Sequence, residues 1–156
     1  MTAESEHTIY WQTRVNQLLS GEGTVISWDA IPVSDDQRIR VAIIRSGGDR
    51  KKAVDLAILS GEGEIRCGDK TSKQVLLWAE CDPSEVVCTV RADQGRLTVR
   101  HATRVPAGGG NPETITSSGP YMGMKVVEDA GRRTYYCNDG WEQDEFDKLV
   151  FSVELL

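Results

Sequence analysis

The densest group of chemically active side chains in this sequence is an acidic run near its end, N-D-G-W-E-Q-D-E-F-D at residues 138–147. Carboxylates crowded on a short loop repel one another unless a cation, hydrogen-bond donors or solvent offset their charge. Hard cations such as Ca²⁺ prefer oxygen ligands of this kind. The run therefore predicts a calcium site. Its candidate ligands are Asp139, Glu142, Asp144, Glu145 and Asp147.

The same run contains an aromatic residue and an amide. Trp141 stands among the acids, and Asn138 opens the run. Sugar-binding sites place an aromatic ring against C–H bonds and polar side chains against hydroxyls, so we expect Trp141 and Asn138 to contact a ligand. The alternatives are that Trp141 plugs the end of the fold and that the run is a solvated strand connection whose acids deter edge pairing.

The ending N-D-G-W-E-Q-D-E-F-D-K-L-V-F-S-V resembles the closing stretch of the bacterial calcium-dependent lectins of the fucose-binding type, over about 16 of the 156 residues. The resemblance implies a β-sandwich whose loop carboxylates hold two calcium ions that bind sugar hydroxyls directly. By motif position, it implicates Asp144, Glu145 and Asp147, together with Asp139, as calcium ligands.

The end of the chain is also similar to that of small uncharacterised bacterial β-rich proteins. Those proteins close with a G-M-x-V-E-E-like strand, a C-x-D-G turn and D-F-D-D-L-V. The matching segments here are residues 123–128, 137–140 and 144–150. This second resemblance implies a β-rich fold and carries no function with it.

The segments that must position these residues show an apolar–polar alternation with a period of two residues. Apolar residues alternate with polar or small ones in segments 38–43, 54–58, 86–90, 97–99 and 149–155, which predicts half-buried strands. Glycine, proline and aspartate turn signals separate the segments. About eight to ten short strands without a repeated helical pattern predict an all-β fold, an antiparallel β-sandwich of jelly-roll-like or Greek key type. The stretch 106–120 is too rich in glycine and proline for a central strand, and we expect a loop there.

One helical pattern precedes the strands. Thr8 can cap a short amphipathic helix over about residues 9–19. Its apolar residues share one face: Trp11, Val15, Leu18 and Leu19. We expect a flexible tail at residues 1–8 and a single domain over residues 9–156, a size that buries enough surface without disulfide or metal staples.

The net charge and the hydropathy of the chain limit the classes of partner that we expect. The formal net charge of -6 opposes binding to phosphate backbones, so we expect no nucleic-acid partner. We expect no membrane contact, because no apolar run approaches about 18 residues, and no secretory signal is visible, which favours the cytoplasm. The basic residues of segment 38–52 are expected to face solvent along a strand and a hairpin turn. They are Arg38, Arg40, Arg45, Arg50, Lys51 and Lys52.

The four cysteines form no C-x-x-C pair, and the chain is long enough to fold without bridges. We therefore expect four reduced thiols and no structural zinc site. The cysteines are Cys67, Cys81, Cys88 and Cys137.

No catalytic motif is present, and the two imidazoles are those of His7 and His101. His101 continues the apolar face of its strand and is expected in the core or at its rim. Trp28 and Trp78 lie in apolar strands and are also expected in the core. An enzyme is therefore unsupported by the sequence.

These observations predict a non-catalytic binding module, with calcium-dependent carbohydrate binding through residues 138–147 as the first hypothesis. The alternative is a protein-interaction or accessory component whose acidic surface meets a basic partner without any cation. In that alternative the amphipathic helix docks on its own sheet or on a partner subunit, which leaves room for a homo-oligomer.

Overall fold

The structure is a computed structural model that describes residues 25–117, 122–138 and 145–156. The predicted tail at residues 1–8 and the predicted helix at residues 9–19 lie outside these ranges. The described part contains strands and no helix, so the all-β prediction is confirmed there. Consequently, it also contains no helix long and apolar enough to cross a membrane.

Thirteen strands make up the described part. They are β1 (Val25–Ile26), β2 (Asp29–Pro32), β3 (Gln37–Ser46), β4 (Lys52–Ala57), β5 (Gly63–Cys67), β6 (Lys70–Ser72), β7 (Gln74–Trp78), β8 (Glu85–Ala92), β9 (Arg96–Val105), β10 (Thr114–Ser117), β11 (Met124–Asp129), β12 (Arg132–Cys137) and β13 (Leu149–Leu155).

The strands form two antiparallel sheets. The larger sheet has the order β1-β11-β12-β13-β3-β8-β5-β6. The smaller sheet has the order β10-β9-β4-β7, and β2 also pairs with β9. Apolar residues of both sheets belong to one core cluster, so the arrangement is β-sandwich-like. At its centre, the rings of Tyr135 and Phe151 stack with centroids 4.9 Å apart on neighbouring strands.

The period-two pattern holds for β3 and β8, but it fails for β4, for residues 97–99 of β9 and for residues 149–153 of β13, which are buried throughout. In β3, Ile39 and Val41 are buried while the alternating arginines are not, as expected for a half-buried strand. Every residue of β4 is buried, so the half-buried prediction is wrong for that strand. Its outward-facing residues are small or short (Ala53, Asp55 and Ala57), and longer side chains of the adjacent strands reach over them, as described below.

Ala130 and Gly131 form the turn of the hairpin between β11 and β12, at one of the glycine signals in the sequence. Ala130 and Gly131 both have positive φ, at 49° and 80°, and Asp129 pairs with Arg132. Two residues with positive φ form the type I′ turn, whose twist matches that of the flanking strands.

The loop expected at residues 106–120 is partly wrong. Residues 114–117 form β10, which pairs with β9 at the edge of the smaller sheet. β10 itself contains no glycine or proline, which explains why this part of the stretch can pair.

The expectation of four reduced thiols is also wrong. Cys67 on β5 and Cys88 on β8 are direct register partners, and a disulfide joins them across a Cα–Cα distance of 4.4 Å. Directly opposed residues on antiparallel strands lie within bridging range. The sequence does not show this because 21 residues separate the two cysteines. Cys81 and Cys137 are free, the first exposed and the second buried.

Candidate functional site

The start of the acidic run is fixed to Gly123, the residue just before β11. Asn138 is fully buried. Its backbone N–H donates to the Gly123 carbonyl at 3.2 Å, and its Oδ1 accepts from the Gly123 N–H at 2.9 Å. These bonds anchor the start of the acidic run, and the contact of Asn138 with a ligand stays a prediction. Asp139, Trp141, Glu142 and Asp144 lie outside the described residues.

The end of the acidic run is held by cationic side chains. Glu145 pairs with Lys148 at 2.8 Å, and Asp147 pairs with Arg45 at 3.4 Å. The Lys148 carbonyl accepts from the Gly47 N–H at 2.9 Å, which ties the run to the β3–β4 turn. Lys148 and Arg45 offset part of the negative charge that led us to predict calcium here. Within residues 25–117, 122–138 and 145–156, no three His, Cys, Asp or Glu side chains are grouped to hold a metal ion.

The outward face of the smaller sheet carries an ionic cluster that the sequence did not predict. Asp55, Leu76 and Arg100 are register partners on β4, β7 and β9. Asp55 is fully buried, and its Oδ2 accepts from Arg100 Nε at 2.8 Å. Gln74 Nε2 donates to both carboxylate oxygens, at 3.0 and 3.2 Å. The buried charge is therefore paired and hydrogen-bonded, as a buried carboxylate must be to persist.

Beside this cluster, Trp78 and Arg104 meet across β4. The Arg104 guanidinium lies 4.7 Å from the centroid of the Trp78 ring, a cation–π distance, and Arg104 Nε pairs with Glu113 at 2.8 Å. The residue between them on β4 is Ala53, the register partner of Trp78, whose small side chain leaves room for this contact. The prediction of a core Trp78 is wrong, because the ring is half-buried on the outward face. Trp28 is likewise half-buried.

Trp78 also lines a cleft along one side of the fold, where β6, the edge of the larger sheet, meets β7, the edge of the smaller one. The cleft has a volume of about 440 Å³, within the range of small-molecule sites. The lining residues are Lys70, Thr71, Ser72, Gln74, Val75, Leu76 and Trp78. We call this site the β6–β7 cleft.

The one charged residue of that lining is neutralised by a neighbour. Lys70 Nζ donates to Asp82 Oδ1 at 2.7 Å and to the Leu76 carbonyl at 3.3 Å. The other carboxylate oxygen of Asp82 accepts from the Trp78 N–H at 2.7 Å. Burial alone would raise the pKa of Asp82, but the bonds from Lys70 and Trp78 outweigh it and lower that pKa.

A second cleft, of about 370 Å³, lies over a link between the two sheets. Asp29 Oδ2, on β2, accepts from Arg133 Nη1 and from the Tyr135 hydroxyl of β12, each at 2.8 Å. Burial and the Asp29 carboxylate raise the pKa of Tyr135. Burial works against the charge of Arg133, but Asp29 more than compensates, so the Arg133 pKa is raised. The contacts among Asp29, Arg133 and Tyr135 therefore hold the two sheets together.

Two basic residues are buried on the inner face. His101 is fully buried opposite Val54, in the core position that its strand pattern indicated. Lys52 is fully buried too, opposite Thr103, and its Nζ donates to the Arg50 carbonyl. The prediction that Lys52 faces solvent is therefore wrong, because β4 already begins at this residue and turns its side chain inward.

One faint signal of the outward-face cluster is present in the sequence. Asp55 interrupts an otherwise apolar run, A-V-D-L-A-I, where an acid needs a partner. Gln74 and Arg100 are 19 and 45 residues away, so the partners could not be assigned without the strand register.

No protein-family model, no curated protein and no solved structure matches this chain.

Proposed function

We propose that this protein is a non-catalytic binding module that takes a neutral carbohydrate in the β6–β7 cleft. One observation carries the proposal: Lys70, the charged residue of the lining, is paired with Asp82, the adjacent Asp55 is paired with Arg100, and an aromatic ring and uncharged polar groups form the rest of the lining. A charged ligand would have to break these ion pairs, whereas a neutral ligand leaves them in place.

The lining suits the two surfaces of a sugar ring. Leu76 and the half-buried Trp78 offer an apolar wall for C–H bonds. Thr71 and Ser72 supply exposed hydroxyls for hydrogen bonds to the sugar. Asp55 holds the amide of Gln74, so this side chain is oriented before a ligand arrives, which lowers the entropic cost of binding.

Binding without catalysis fits the same lining. Glycoside hydrolysis requires an acid and a second carboxylate on opposite sides of the bond, and the lining residues include no carboxylate and no imidazole.

A calcium-dependent mode at residues 138–147 is our second proposal. The observation that favours it is the anchoring of both flanks of that segment: Asn138 to Gly123, and Lys148 to Cys137 and Gly47. In this mode the ligands would be Asp139, Glu142, Asp144, Glu145 and Asp147, with Trp141 and Asn138 beside the sugar. Glu145 and Asp147 would have to leave Lys148 and Arg45.

The location of the protein is also a proposal. The Cys67–Cys88 bridge favours an oxidising compartment.

The experiment is a screen of immobilised neutral oligosaccharides, followed by calorimetric titration of any that bind, in EDTA and in millimolar calcium. We expect binding of equal affinity in both buffers. Ser72→Ala and Thr71→Ala should each weaken binding by about 2-fold to 12-fold, the cost of about 0.5–1.5 kcal/mol for one hydrogen bond. Thr134→Ala, on β12 of the same sheet but five strands away from β6, is the matched control and should have no effect. Binding that vanishes in EDTA would replace the cleft by the calcium mode.

A further inference from the structure

The outward face of the larger sheet carries exposed apolar side chains that the binding proposal does not use. Ile44, Val127 and Tyr136 are exposed by 61%, 56% and 38%, and we call these three residues the outer patch. They lie on β3, β11 and β12, with Val150 of β13 buried among these strands as the register partner of Tyr136. Exposed apolar groups on the same face of neighbouring strands offer a surface on which another apolar element can pack.

The border of the outer patch is charged. Arg45 pairs with Asp147 on one side. On the other side, Arg40 pairs with Glu85 at 3.1 Å and with Glu154 at 3.3 Å. The apolar centre spans four adjacent strands, β11 to β3, or about 14 Å at the usual strand spacing. An amphipathic helix, with an apolar stripe and polar flanks, matches this distribution.

We propose that residues 9–19 of this same chain form that helix and pack on the outer patch. Their apolar face consists of Trp11, Val15, Leu18 and Leu19. A helix of these eleven residues is about 16 Å long, close to the width of the patch.

The entry point of the chain supports this occupant. β1 is the edge strand of the larger sheet and pairs with β11, the strand that bears Val127. The chain before Val25 therefore starts one strand away from the outer patch. Residues 20–24 can span about 17 Å when extended, enough to carry the helix over β12 and β13.

A second copy of the chain fits the patch less well. A stable dimer buries about 800 Å² on each partner, and three exposed side chains are too few to supply that area. A segment tethered to the adjacent strand gains instead from a high effective concentration and needs a smaller contact.

The test is disulfide trapping in the full-length chain with Cys81→Ser, which removes the exposed free thiol. Val15→Cys is combined with Thr134→Cys, the register partner of Val127, or with Thr89→Cys on the same face of β8 as the control. We expect an intramolecular bridge with Thr134→Cys in at least 10-fold higher yield than with Thr89→Cys. Equal yields, or bridges only between two chains, would overturn the proposal.

Hydrogen exchange of the unmodified protein provides a second readout that needs no variant to fold. Residues 9–19 should exchange at least 10-fold more slowly than an unstructured segment, and Val127→Asp should abolish this protection while the core strands stay protected. Exchange of residues 9–19 at unstructured rates in the unmodified protein would contradict the proposal.

Discussion

Arg100 Nε donates to Asp55 Oδ2 at 2.8 Å, and this carboxylate is fully buried although it lies on the outward-facing side of β4. The contact joins two strands of the smaller sheet beside the β6–β7 cleft, and Gln74 extends it to a third. The side chains of Arg100 and Gln74 satisfy this buried carboxylate.

Removing one partner of this pair should be costly. Arg100→Met leaves the Asp55 charge buried without its cation, and we expect the free energy of unfolding to fall by about 3–5 kcal/mol. Arg40→Met, which breaks the solvent-accessible ion pairs with Glu85 and Glu154, should cost only about 1 kcal/mol. Urea unfolding monitored by circular dichroism measures both. Similar costs for the two variants would show that Asp55 is solvated.

The thiols should divide into three classes. Under native, non-reducing conditions Cys81 should react with a thiol reagent at once, and Cys137 only after denaturation, because Cys137 is buried and burial raises its pKa. Cys67 and Cys88 should react only after reduction. Replacing both by Ser should lower the free energy of unfolding by about 3 kcal/mol, as expected for a closed loop of this length. Four thiols that react in non-reduced, denatured protein would contradict the bridge.

Tyr135 should make the protein alkali-labile. Its pKa is raised in the folded state, so its contribution to stability is fully present below the unfolded value of 10.0 and is lost as the pH rises above it. The free energy of unfolding should therefore fall by up to about 1.4 kcal/mol per pH unit above pH 10. Tyr135→Phe is less stable at neutral pH, having lost the bond to Asp29, but should show a flatter alkaline profile. Identical alkaline slopes for the two proteins would contradict this role.

The effect of calcium on thermal stability distinguishes our two proposed binding modes. If residues 138–147 bind calcium when folded, calcium at 100 times its dissociation constant adds about 2.7 kcal/mol, or about 5–10 °C in Tm for a domain of this size. Asp144→Asn with Asp147→Asn should then remove most of the shift. The cleft mode predicts the same Tm in millimolar calcium and in EDTA. A reversible shift that the two substitutions abolish would favour the acidic run.

The strands were predictable where one face is buried and the other solvated, because alternation then appears in the sequence. This holds for β3, with Ile39 and Val41 inward, and for the hairpin turn at Ala130 and Gly131. It fails for β4, where Lys52 turns inward, and for residues 97–99 and 149–153, because both faces are buried in all three segments. Such burial depends on neighbours that the local pattern does not contain.

Contacts between strands that are distant in sequence could not be predicted, for a related reason. The Cys67–Cys88 bridge and the Asp55–Arg100 pair depend on strand order and register, which no local spacing encodes. The candidate site was therefore predictable only as a concentration of acids at residues 138–147. The β6–β7 cleft, formed by the edges of two different sheets, was not predictable.

Nuclear magnetic resonance mapping of a bound neutral oligosaccharide tests the central proposal most directly. In EDTA, we expect the largest shifts at the Trp78 indole N–H, the Gln74 side-chain amide and the backbone amides of β6, with little change at Trp141. Trp78→Phe provides the assignment of the indole signal and should weaken binding. Shifts centred on Trp141 and Asn138, or no saturable shift with any neutral oligosaccharide, would contradict carbohydrate binding in the β6–β7 cleft.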